Sequence, residues 1–230
     1  MVYRLFLKRF MDFFMSGVAL IILSPVLLVV SILVRIKLGS PIMFKQERPG
    51  YKGRIFKMYK FRTMLDPQTR EGRRLTDKER LECIEKGVDI LSDEERLTKL
   101  GRILRATSLD ELPELWNIFR GDMSIIGPRP LATIYLPYYS KEEMRRHDVR
   151  PGLTGLAQIH GRNSVSWEKR FEYDLYYVDH CSLFLDITIF LKTITVVLKK
   201  EDIGQGLERP QAFSIVRQKQ WDDGTVIKDR

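Results

Sequence analysis

The sequence has little of what builds metal centres and disulfide frameworks. Its two cysteines, Cys83 and Cys181, are far apart and form no C-x-x-C pair, and its three histidines form no H-x-x-x-H pattern. This spacing argues against a zinc site, a histidine-built metal site and a disulfide-stapled fold. It suits a protein of a reducing, cytosolic environment.

The sequence also lacks the motifs of common nucleotide-using enzymes. It contains no G-x-x-x-x-G-K-[ST] loop, no G-x-G-x-x-G turn and no D-x-D triplet. The chain is therefore not a P-loop enzyme, and it is not a nucleotide-sugar transferase of the kind that uses an acidic metal triplet.

Acidic residues are outnumbered. Among 230 residues, 39 Lys and Arg stand against 30 Asp and Glu, a formal net charge of +9. The length suffices for one compact domain with a sizeable core. A basic surface favours polyanions such as nucleic acid, anionic lipid or phosphorylated substrates, and composition does not choose among them.

Charge is absent altogether between Asp12 and Arg35. As one continuous helix, these 22 residues would be about 33 Å long, close to the hydrocarbon thickness of a bilayer. The run is too long for a cleaved signal peptide, and no small-x-small cleavage site follows it. We expect this part of the chain to be membrane-bound.

A Ser24-Pro25 pair lies near the middle of this run. Proline donates no backbone hydrogen bond and costs about 3 kcal/mol in an ordinary helix. One interpretation is a kinked spanning helix, in which Ser24 satisfies the freed carbonyl. The other is a helix that enters the bilayer, breaks at Ser24-Pro25 and returns to the same face of the membrane. Basic residues on both flanks slightly favour this re-entrant hairpin: Arg4, Lys8 and Arg9 before the run, and Arg35, Lys37, Lys45 and Arg48 after it.

Residues 41–64 predict two short strands around the turn residues Pro49-Gly50 and Gly53. The stretch IFKMYKFRT alternates apolar and basic side chains. We expect one face to point inward, with Ile55, Met58 or Phe56, and Phe61, and the other to project Lys57, Lys60 and Arg62. These cations suit either acidic lipid headgroups or a phosphate cradle.

Residues 66–91 are polar and predict a surface excursion. Capping boxes at Thr76 with Glu79 and at Ser92 with Glu95 predict two short helices. We expect the second of these helices to run from Ser92 to about Arg105.

The second half of the chain predicts helices separated by ordered loops. A stripe formed by Leu112, Leu115, Trp116 and Phe119 indicates a helix that begins just before Pro113 and ends at Gly121. Residues 121–165 are rich in Gly and Pro and predict loops, and residues 166–178 predict a helix. Residues 182–200 predict a strongly apolar helix that lies on the membrane surface or packs in the core. Residues 201–230 predict an irregular tail.

Asp110 and Glu111 are adjacent carboxylates at the start of the striped helix. The simplest interpretation is a cap, because Ser108-Leu109-Asp110-Glu111 fits S-x-x-E and acids in a first turn complement the helix dipole by about 0.3 to 1 kcal/mol. The alternative is a reactive pair that faces an anion.

Nearby arginines favour the reactive pair. Arg102 and Arg105 lie upstream, and Arg129 is held between two prolines on a stiff backbone, which benefits a side chain that must aim at a ligand. A helix N-terminus attracts phosphate and keeps Asp110 ionised and nucleophilic. Because carboxylate and phosphate repel each other, a divalent ion is needed, most naturally Mg²⁺ with Asp110 and Glu111 as ligands.

Several motifs occur in order along the chain: the apolar run with its Ser-Pro break, FKQERPG, FKMYKFRTM, TSLDELPELWNIFRGDMSIIGPRP, and VRPGLTGLAQIHGRN followed by FEYDLYYV. From about residue 5 to about residue 200, they resemble the small monotopic phosphoglycosyl transferases, also called bacterial sugar transferases. The resemblance implies transfer of a sugar-1-phosphate from a UDP-sugar to a polyprenyl phosphate, commonly undecaprenyl phosphate, with release of UMP. It implies a re-entrant hairpin, a cytoplasmic catalytic domain, dependence on Mg²⁺, and the first membrane step of glycan or glycoconjugate assembly.

The resemblance also implies roles for individual residues. Asp110 is the nucleophile that forms a phosphosugar-enzyme intermediate, and Glu111 is its catalytic partner. The resemblance places Arg105, Arg129 and Asp174 in the site, and we also expect Lys60, Arg62, Gln158 and Arg162 to bind substrate. Leu156 and His160 stand where the family usually has Trp and Asn, so the family's sugar preference is not carried over.

We therefore expect a mixed α/β, mainly helical fold with a re-entrant helix broken at Ser24-Pro25, surface amphipathic helices and a small β-hairpin. The expected domains are a membrane helix over 1–40, a catalytic domain over 41–200 and a tail over 201–230. The expected partners are a UDP-sugar, polyprenyl phosphate and the lipid bilayer at the cytoplasmic face of the bacterial inner membrane. A homo-oligomer is left open.

A function of another class is a membrane-anchored basic module that binds nucleic acid or organises partners. It would require salt-sensitive DNA binding. The basic residues cluster after the membrane segment and form no long run with interleaved aromatics, so we expect no nucleic acid partner.

Overall fold

A computed structural model describes residues 3–76, 79, 83, 88–161, 165–199 and 211–226. Within these ranges, the chain is mainly helical and carries two small two-stranded sheets, which confirms the predicted mixed, mainly helical fold with a β-hairpin. The helices are α1 Lys8–Ile22, α2 Ser24–Leu38, α3 Asp93–Arg96, α4 Lys99–Ala106, α5 Glu114–Arg120, α6 Lys141–Met144, α7 Leu156–Ile159, α8 Trp167–His180, α9 Leu183–Lys199 and α10 Phe213–Asp222. The strands are β1 Met43–Pro49, β2 Ile55–Phe61, β3 Ser124–Ile126 and β4 Gly152–Thr154.

The chain divides into two compact units, each built from separate stretches. The large unit contains Met1–Ser24, Lys45–Tyr59 and Pro113–Arg230. The small unit contains Pro25–Phe44 and Lys60–Leu112. The domain limits at 40/41 and 200/201 stay a prediction.

The N-terminal apolar run forms α1 and α2, which are bent by 63° at the break between them. Ser24 Oγ donates a hydrogen bond to the carbonyl of Ile21 at 2.7 Å. This is the carbonyl that Pro25 leaves without its usual donor, so the predicted break and its local remedy are confirmed. No single helix in the described ranges is long and apolar enough to cross a membrane, whereas this bent pair passes that test together.

Helix α1 has the reverse of the burial pattern of a soluble helix. Its polar residues Lys8, Asp12 and Ser16 are buried, while apolar side chains are exposed, Phe10 by 67% and Ile21 by 75%. Lys8 Nζ contacts the carboxylate of Asp186 at 2.6 Å, and Asp12 Oδ1 accepts a hydrogen bond from the Ile125 amide at 3.0 Å. The polar face of α1 therefore belongs to the interior of the large unit, and its apolar face points outward.

Strands β1 and β2 form the predicted hairpin, closed by a hydrogen bond from the Gly50 amide to the Arg54 carbonyl at 2.8 Å. Met58 and Phe61 face inward as expected, but the prediction for Ile55 is wrong, because this side chain is 49% exposed. The prediction that Arg62 projects is also wrong, because it is buried. The hairpin ends at Phe61, so the alternation of faces does not extend to residue 62.

The core of the small unit forms where α2, the end of β2 and α4 meet. Val34, Phe61 and Leu104 are almost fully buried there. Helix α4 approaches the backbone after β2 so closely that a Cβ on Gly101 would lie 1.9 Å from the Thr63 carbonyl oxygen. A glycine is therefore required at this contact.

The helix predicted from Ser92 to Arg105 is two helices. Ser92 forms the expected capping box with Glu95 at the start of α3. Leu97 then adopts an extended conformation and pairs with Met64, and Thr98 caps α4 by accepting a hydrogen bond from the Gly101 amide at 2.9 Å. The continuous helix was wrong because this strand-like contact and the second cap interrupt it. Thr76 and Glu79 make the expected reciprocal hydrogen bonds, and most of the segment between 77 and 87 lies outside the described residues.

Residues 121–165 contain regular structure that the loop prediction missed. Strands β3 and β4 pair in parallel, Ser124 with Gly152 and Ile126 with Thr154. A Cβ on Gly152 would lie 2.1 Å from the Gly127 amide nitrogen. The two backbones therefore meet at a point where no side chain fits, which explains Gly127 and Gly152.

Helices α8 and α9 pack against this sheet. Helices α8 and α9 confirm the predictions, and Tyr177, Val178 and Ile189 bury against Ile126. The predicted core face of α9 is thus present, and its position on a membrane surface stays a prediction. The irregular tail is wrong for Phe213–Asp222, which form α10 with Phe213 only 1% exposed. Residues 200–210 and 227–230 lie outside the described ranges.

Candidate active site

The two carboxylates singled out in the sequence lie on a tight turn between α4 and α5. Leu109–Glu111 form one 3₁₀ turn, in which Asp110 is buried, with 8% of its surface exposed. The preceding Ser108 has φ 56° and ψ 16°, the left-handed region, and its side chain makes no capping hydrogen bond. The capping box expected at Ser108 and Glu111 is therefore wrong.

The conformation of Ser108 stores strain next to the dyad. A non-glycine residue in the left-handed region costs about 1 to 2 kcal/mol, and such residues cluster at functional sites. The turn consequently presents Asp110 in a geometry that a simple helix cap does not require.

Lys60 joins the dyad from the last part of β2. Its Nζ lies 2.6 Å from Glu111 Oε1, and the two side chains are only 16% and 21% exposed. A partly buried ion pair is screened less than a surface pair, so it fixes the orientation of Glu111. The structure thus places one of the predicted substrate-binding cations against the predicted catalytic pair.

Arg62 and Arg105 also belong to the small unit. The Arg62 guanidinium donates to the carbonyls of Met64 and Ser40, both at 3.1 Å, and pairs with Asp66 at 2.9 Å. These contacts give the buried Arg62 a structural role. Arg105, at the end of α4, is exposed, and its Nε donates to Thr63 Oγ1 at 3.1 Å. The Arg105 guanidinium therefore lies at the surface, where it can bind an anion.

Arg129 lies in the large unit, on a loop whose base is fixed by backbone hydrogen bonds. The Gly127 amide donates to the Thr154 carbonyl at 2.9 Å, and the Gly152 amide donates to the Pro128 carbonyl at 3.0 Å. Pro128 and Pro130 are buried, and Arg129 between them is partly exposed. These hydrogen bonds hold the base of the loop, and the presentation of Arg129 to a ligand stays a prediction.

A buried ion pair supports the same loop. Arg146 donates to Asp174 Oδ2 from Nε at 3.0 Å and from Nη2 at 2.6 Å, and its Nη2 also donates to the Arg129 carbonyl at 2.8 Å. The side chains of Arg146 and Asp174 are 2% and 3% exposed. Asp174 was expected to bind substrate, but in this structure it holds Arg146, which holds the Arg129 backbone. Arg146 was missed, because nothing in RRHDV distinguishes it from its neighbours.

The Arg129 loop borders a shallow cleft within the large unit, lined by Pro49, Pro128, Arg129, Pro130, Arg146, His147, Val149 and Pro151. Burial and, secondarily, the charge of Arg146 lower the pKa of His147 to about 4. Burial, and after it the charge of Arg129, lowers the pKa of Arg48. Arg129 and Arg146 line this cleft, and Arg48 lies close to Arg129. Arg48 is a second residue that the sequence reasoning did not select.

Gln158 lies in α7, where its Nε2 donates to the Leu153 carbonyl at 2.9 Å, and its Oε1 is buried without a protein partner. Arg162 lies outside the described residues.

Within the ranges described, no group of three or more His, Cys, Asp or Glu side chains could hold a metal ion. Mg²⁺ nevertheless fits the dyad by donor chemistry, because it commonly takes one or two carboxylates and completes its shell with water and substrate phosphate. Asp110 and Glu111, which are adjacent in the chain, supply such oxygens, and Glu111 Oε1 also contacts Lys60.

Comparison with known proteins decides the family. The family model for bacterial sugar transferases matches residues 3–200. The chain belongs to the bacterial sugar transferase family. The match contains every site residue discussed above and ends before α10.

Similarity to individual sugar transferases supports the same family assignment. The chain is 47% identical over 199 residues to the uncharacterised sugar transferase EpsL of Bacillus subtilis, covering 86% of this chain and 91% of that protein. It is 40% identical over 203 residues to the exopolysaccharide production protein ExoY of Rhizobium meliloti, covering 83% and 84%. It is 38% identical over 195 residues to the UDP-glucose:undecaprenyl-phosphate glucose-1-phosphate transferase of Klebsiella pneumoniae, covering 81% of this chain but 39% of that protein.

Proposed function

We propose that this transferase moves a sugar-1-phosphate from a UDP-sugar to undecaprenyl phosphate and releases UMP, as a first membrane step of polysaccharide or glycoconjugate synthesis. The observation that carries the proposal is the turn at Ser108–Glu111. It combines a buried carboxylate, a strained backbone and a second carboxylate fixed by Lys60. The name of the relative from Klebsiella pneumoniae supports the choice of donor and acceptor.

The chemistry we propose proceeds in two steps at Asp110. A carboxylate oxygen of Asp110 attacks the sugar-bearing phosphorus of the UDP-sugar, and the bond to the UMP oxygen breaks with its electron pair leaving on UMP. An oxygen of undecaprenyl phosphate then attacks the same phosphorus, which frees Asp110 and forms the diphosphate-linked sugar. Dividing the transfer in this way lets one site handle two anionic substrates in turn.

Other residues orient the catalytic pair and bind the charged substrate during these steps. Lys60 holds the carboxylate of Glu111 through their 2.6 Å ion pair, and Arg129, on its loop, binds the phosphate of the donor. Mg²⁺, held by Asp110 and Glu111 when bound, supplies neutralisation of the phosphate charge.

We place this chemistry at the cytoplasmic face of the bacterial inner membrane, with α1 and α2 as a re-entrant hairpin. The reversed burial of α1 supports contact with lipid, because exposed Phe10, Phe14 and Ile21 are stable against lipid and unfavourable against water. Single cysteines introduced near residues 2 and 40 should both be protected from an impermeant reagent in intact cells. Labelling near residue 2 from outside would show a spanning helix instead.

The activity is tested by measuring UMP release from a panel of UDP-sugars with undecaprenyl phosphate and Mg²⁺. With a UDP-sugar alone, mass spectrometry of a rapidly quenched sample should find a phosphosugar adduct on the peptide that contains Asp110. Asp110→Asn should fold and release no UMP, whereas the control Glu94→Gln, an exposed acid of the same unit, should keep wild-type activity.

Glu111→Gln should reduce turnover severely while some adduct still forms. Full turnover by Asp110→Asn, or an adduct on another residue, would show that Asp110 is not the nucleophile.

A further inference from the structure

Helix α10 lies beyond the family match, which ends at residue 200. It is nevertheless an integral part of the large unit. Phe213 is 1% exposed and completes a cluster with Leu131, Tyr139, Trp167 and Phe171. A side chain so deeply buried makes α10 part of the folded core.

Helix α10 contacts the segment that follows the Arg129 loop as well as Trp167 and Phe171 of α8. Leu131, a member of the cluster, is the residue next to Pro130. The ring of Phe213 lies 5.6 Å from those of Tyr135 and Tyr139, and Trp221 stacks on Tyr138 at 5.4 Å. Aromatic contacts at these distances are favourable beyond the area that they bury. They fix the course of the chain directly after the loop.

A second contact fixes the far end of the same segment. Arg217 Nη2 pairs with Glu143 Oε1, and the two side chains are 7% and 13% exposed. Glu143 belongs to α6, which leads directly into the turn that carries Arg146. Arg146 in turn donates to the Arg129 carbonyl. An ion pair shielded from solvent is sensitive to loss of either partner.

We propose that α10 is a positioning element for Arg129. It holds the two ends of the segment 131–146, one end adjoining the Arg129 loop and the other carrying the side chain that binds the loop's backbone. The inference rests on the proposed role of Arg129 in binding the donor phosphate, and it assigns to residues outside the family match a function in orienting that group.

The test uses full-length variants. Phe213→Ala and Arg217→Gln disturb the two contacts, and Ile215→Ala is the control, because Ile215 lies on the same helix and is 60% exposed. Each is made with Arg129 present and with Arg129→Ala, and kcat/KM for UMP release and the melting temperature are measured. With Arg129 present, Phe213→Ala and Arg217→Gln should lower kcat/KM by about tenfold or more, as small misplacements of binding groups do. With Arg129→Ala they should cause no further loss, although the melting temperature falls equally in both backgrounds.

An equal loss of kcat/KM with and without Arg129 would overturn the proposal, since it would mean that α10 supports only the fold. If Phe213→Ala does not fold, Arg217→Gln alone decides. Hydrogen exchange of a peptide covering 127–134 provides a readout that is independent of activity. Exchange should rise in Arg217→Gln and stay unchanged in Ile215→Ala, and unchanged exchange in Arg217→Gln would also overturn the proposal. Absence of UMP release from the wild type would instead refute the proposed function, and exchange would still decide whether α10 fixes the loop.

Discussion

Replacing Asp174 should lower both the stability and the activity of the protein. The two losses have different causes. In Asp174→Ala, the guanidinium of Arg146 stays inside the large unit without the carboxylate that it contacts at 2.6 and 3.0 Å. Because these side chains are 3% and 2% exposed, water cannot replace the lost partner. Breaking a buried pair in this way costs about 3 to 5 kcal/mol. For a chain of this size, that corresponds to a fall in melting temperature of roughly 10 °C.

A compensating double variant separates stability from positioning. Arg146→Met with Asp174→Leu removes both charges and keeps apolar volume, and such replacements of buried pairs are often neutral or stabilising. The melting temperature should therefore return to within a few degrees of the wild type. UMP release should stay low, since no donor then holds the Arg129 carbonyl at 2.8 Å.

Two assays on the same purified samples check this reasoning: thermal unfolding, and UMP release at saturating and at low UDP-sugar. Recovery of both melting temperature and turnover in the double variant would refute the positioning role of Arg146. An unchanged melting temperature in Asp174→Ala would refute the burial of the pair.

Three further predictions concern single residues. Ser108→Ala should change the free energy of unfolding by less than about 0.5 kcal/mol in chemical denaturation, because the Ser108 side chain caps nothing; a loss above about 1 kcal/mol would restore the cap interpretation. Gly101→Ala should cost about 3 kcal/mol, because its Cβ would lie 1.9 Å from the Thr63 carbonyl oxygen, and a wild-type melting temperature would contradict that contact. The pKa of His147 is about 4 in the folded protein against 6.5 for the free side chain, so between these values the unfolded chain binds more protons. Stability should therefore fall as the pH drops from 6.5 to 4, by about 3 kcal/mol in total, and His147→Gln should remove this part of the pH dependence of unfolding.

The parts of the fold that depend on local chemistry were predictable from the sequence. Gly50 and Gly53 mark the hairpin turn, and Pro25 marks the break between α1 and α2. Strands β3 and β4 were not predictable, because each is three residues long and neither has a period that a local window can detect. Helix α10 was missed because its stability comes from Phe213 burying among residues far away in the chain, and its own sequence is mostly polar.

In the candidate site, too, the residue types were predictable from the sequence and the contacts between distant residues were not. The adjacent Asp110 and Glu111 are visible in the sequence, and Lys60 was selected as a cation, but its contact with Glu111 joins positions 51 residues apart. The S-x-x-E pattern at Ser108 predicted a cap because the pattern carries no information on the sign of φ. Asp174 was selected by family resemblance, and only the three-dimensional packing places it beneath Arg146.

The buried polar face of α1 bears on how a water-soluble form of this enzyme can be obtained. Asp186 accepts hydrogen bonds from Tyr3, Lys8 and Tyr177. Deleting the apolar N-terminal run together with its leading residues would leave Asp186 with Tyr177 alone, and would strip the Ile125 amide of the acceptor provided by Asp12. Truncation therefore opens the interior of the large unit as well as removing the outward apolar face of α1. Solubility is better sought by making the outward side chains of α1 polar while the chain keeps its full length.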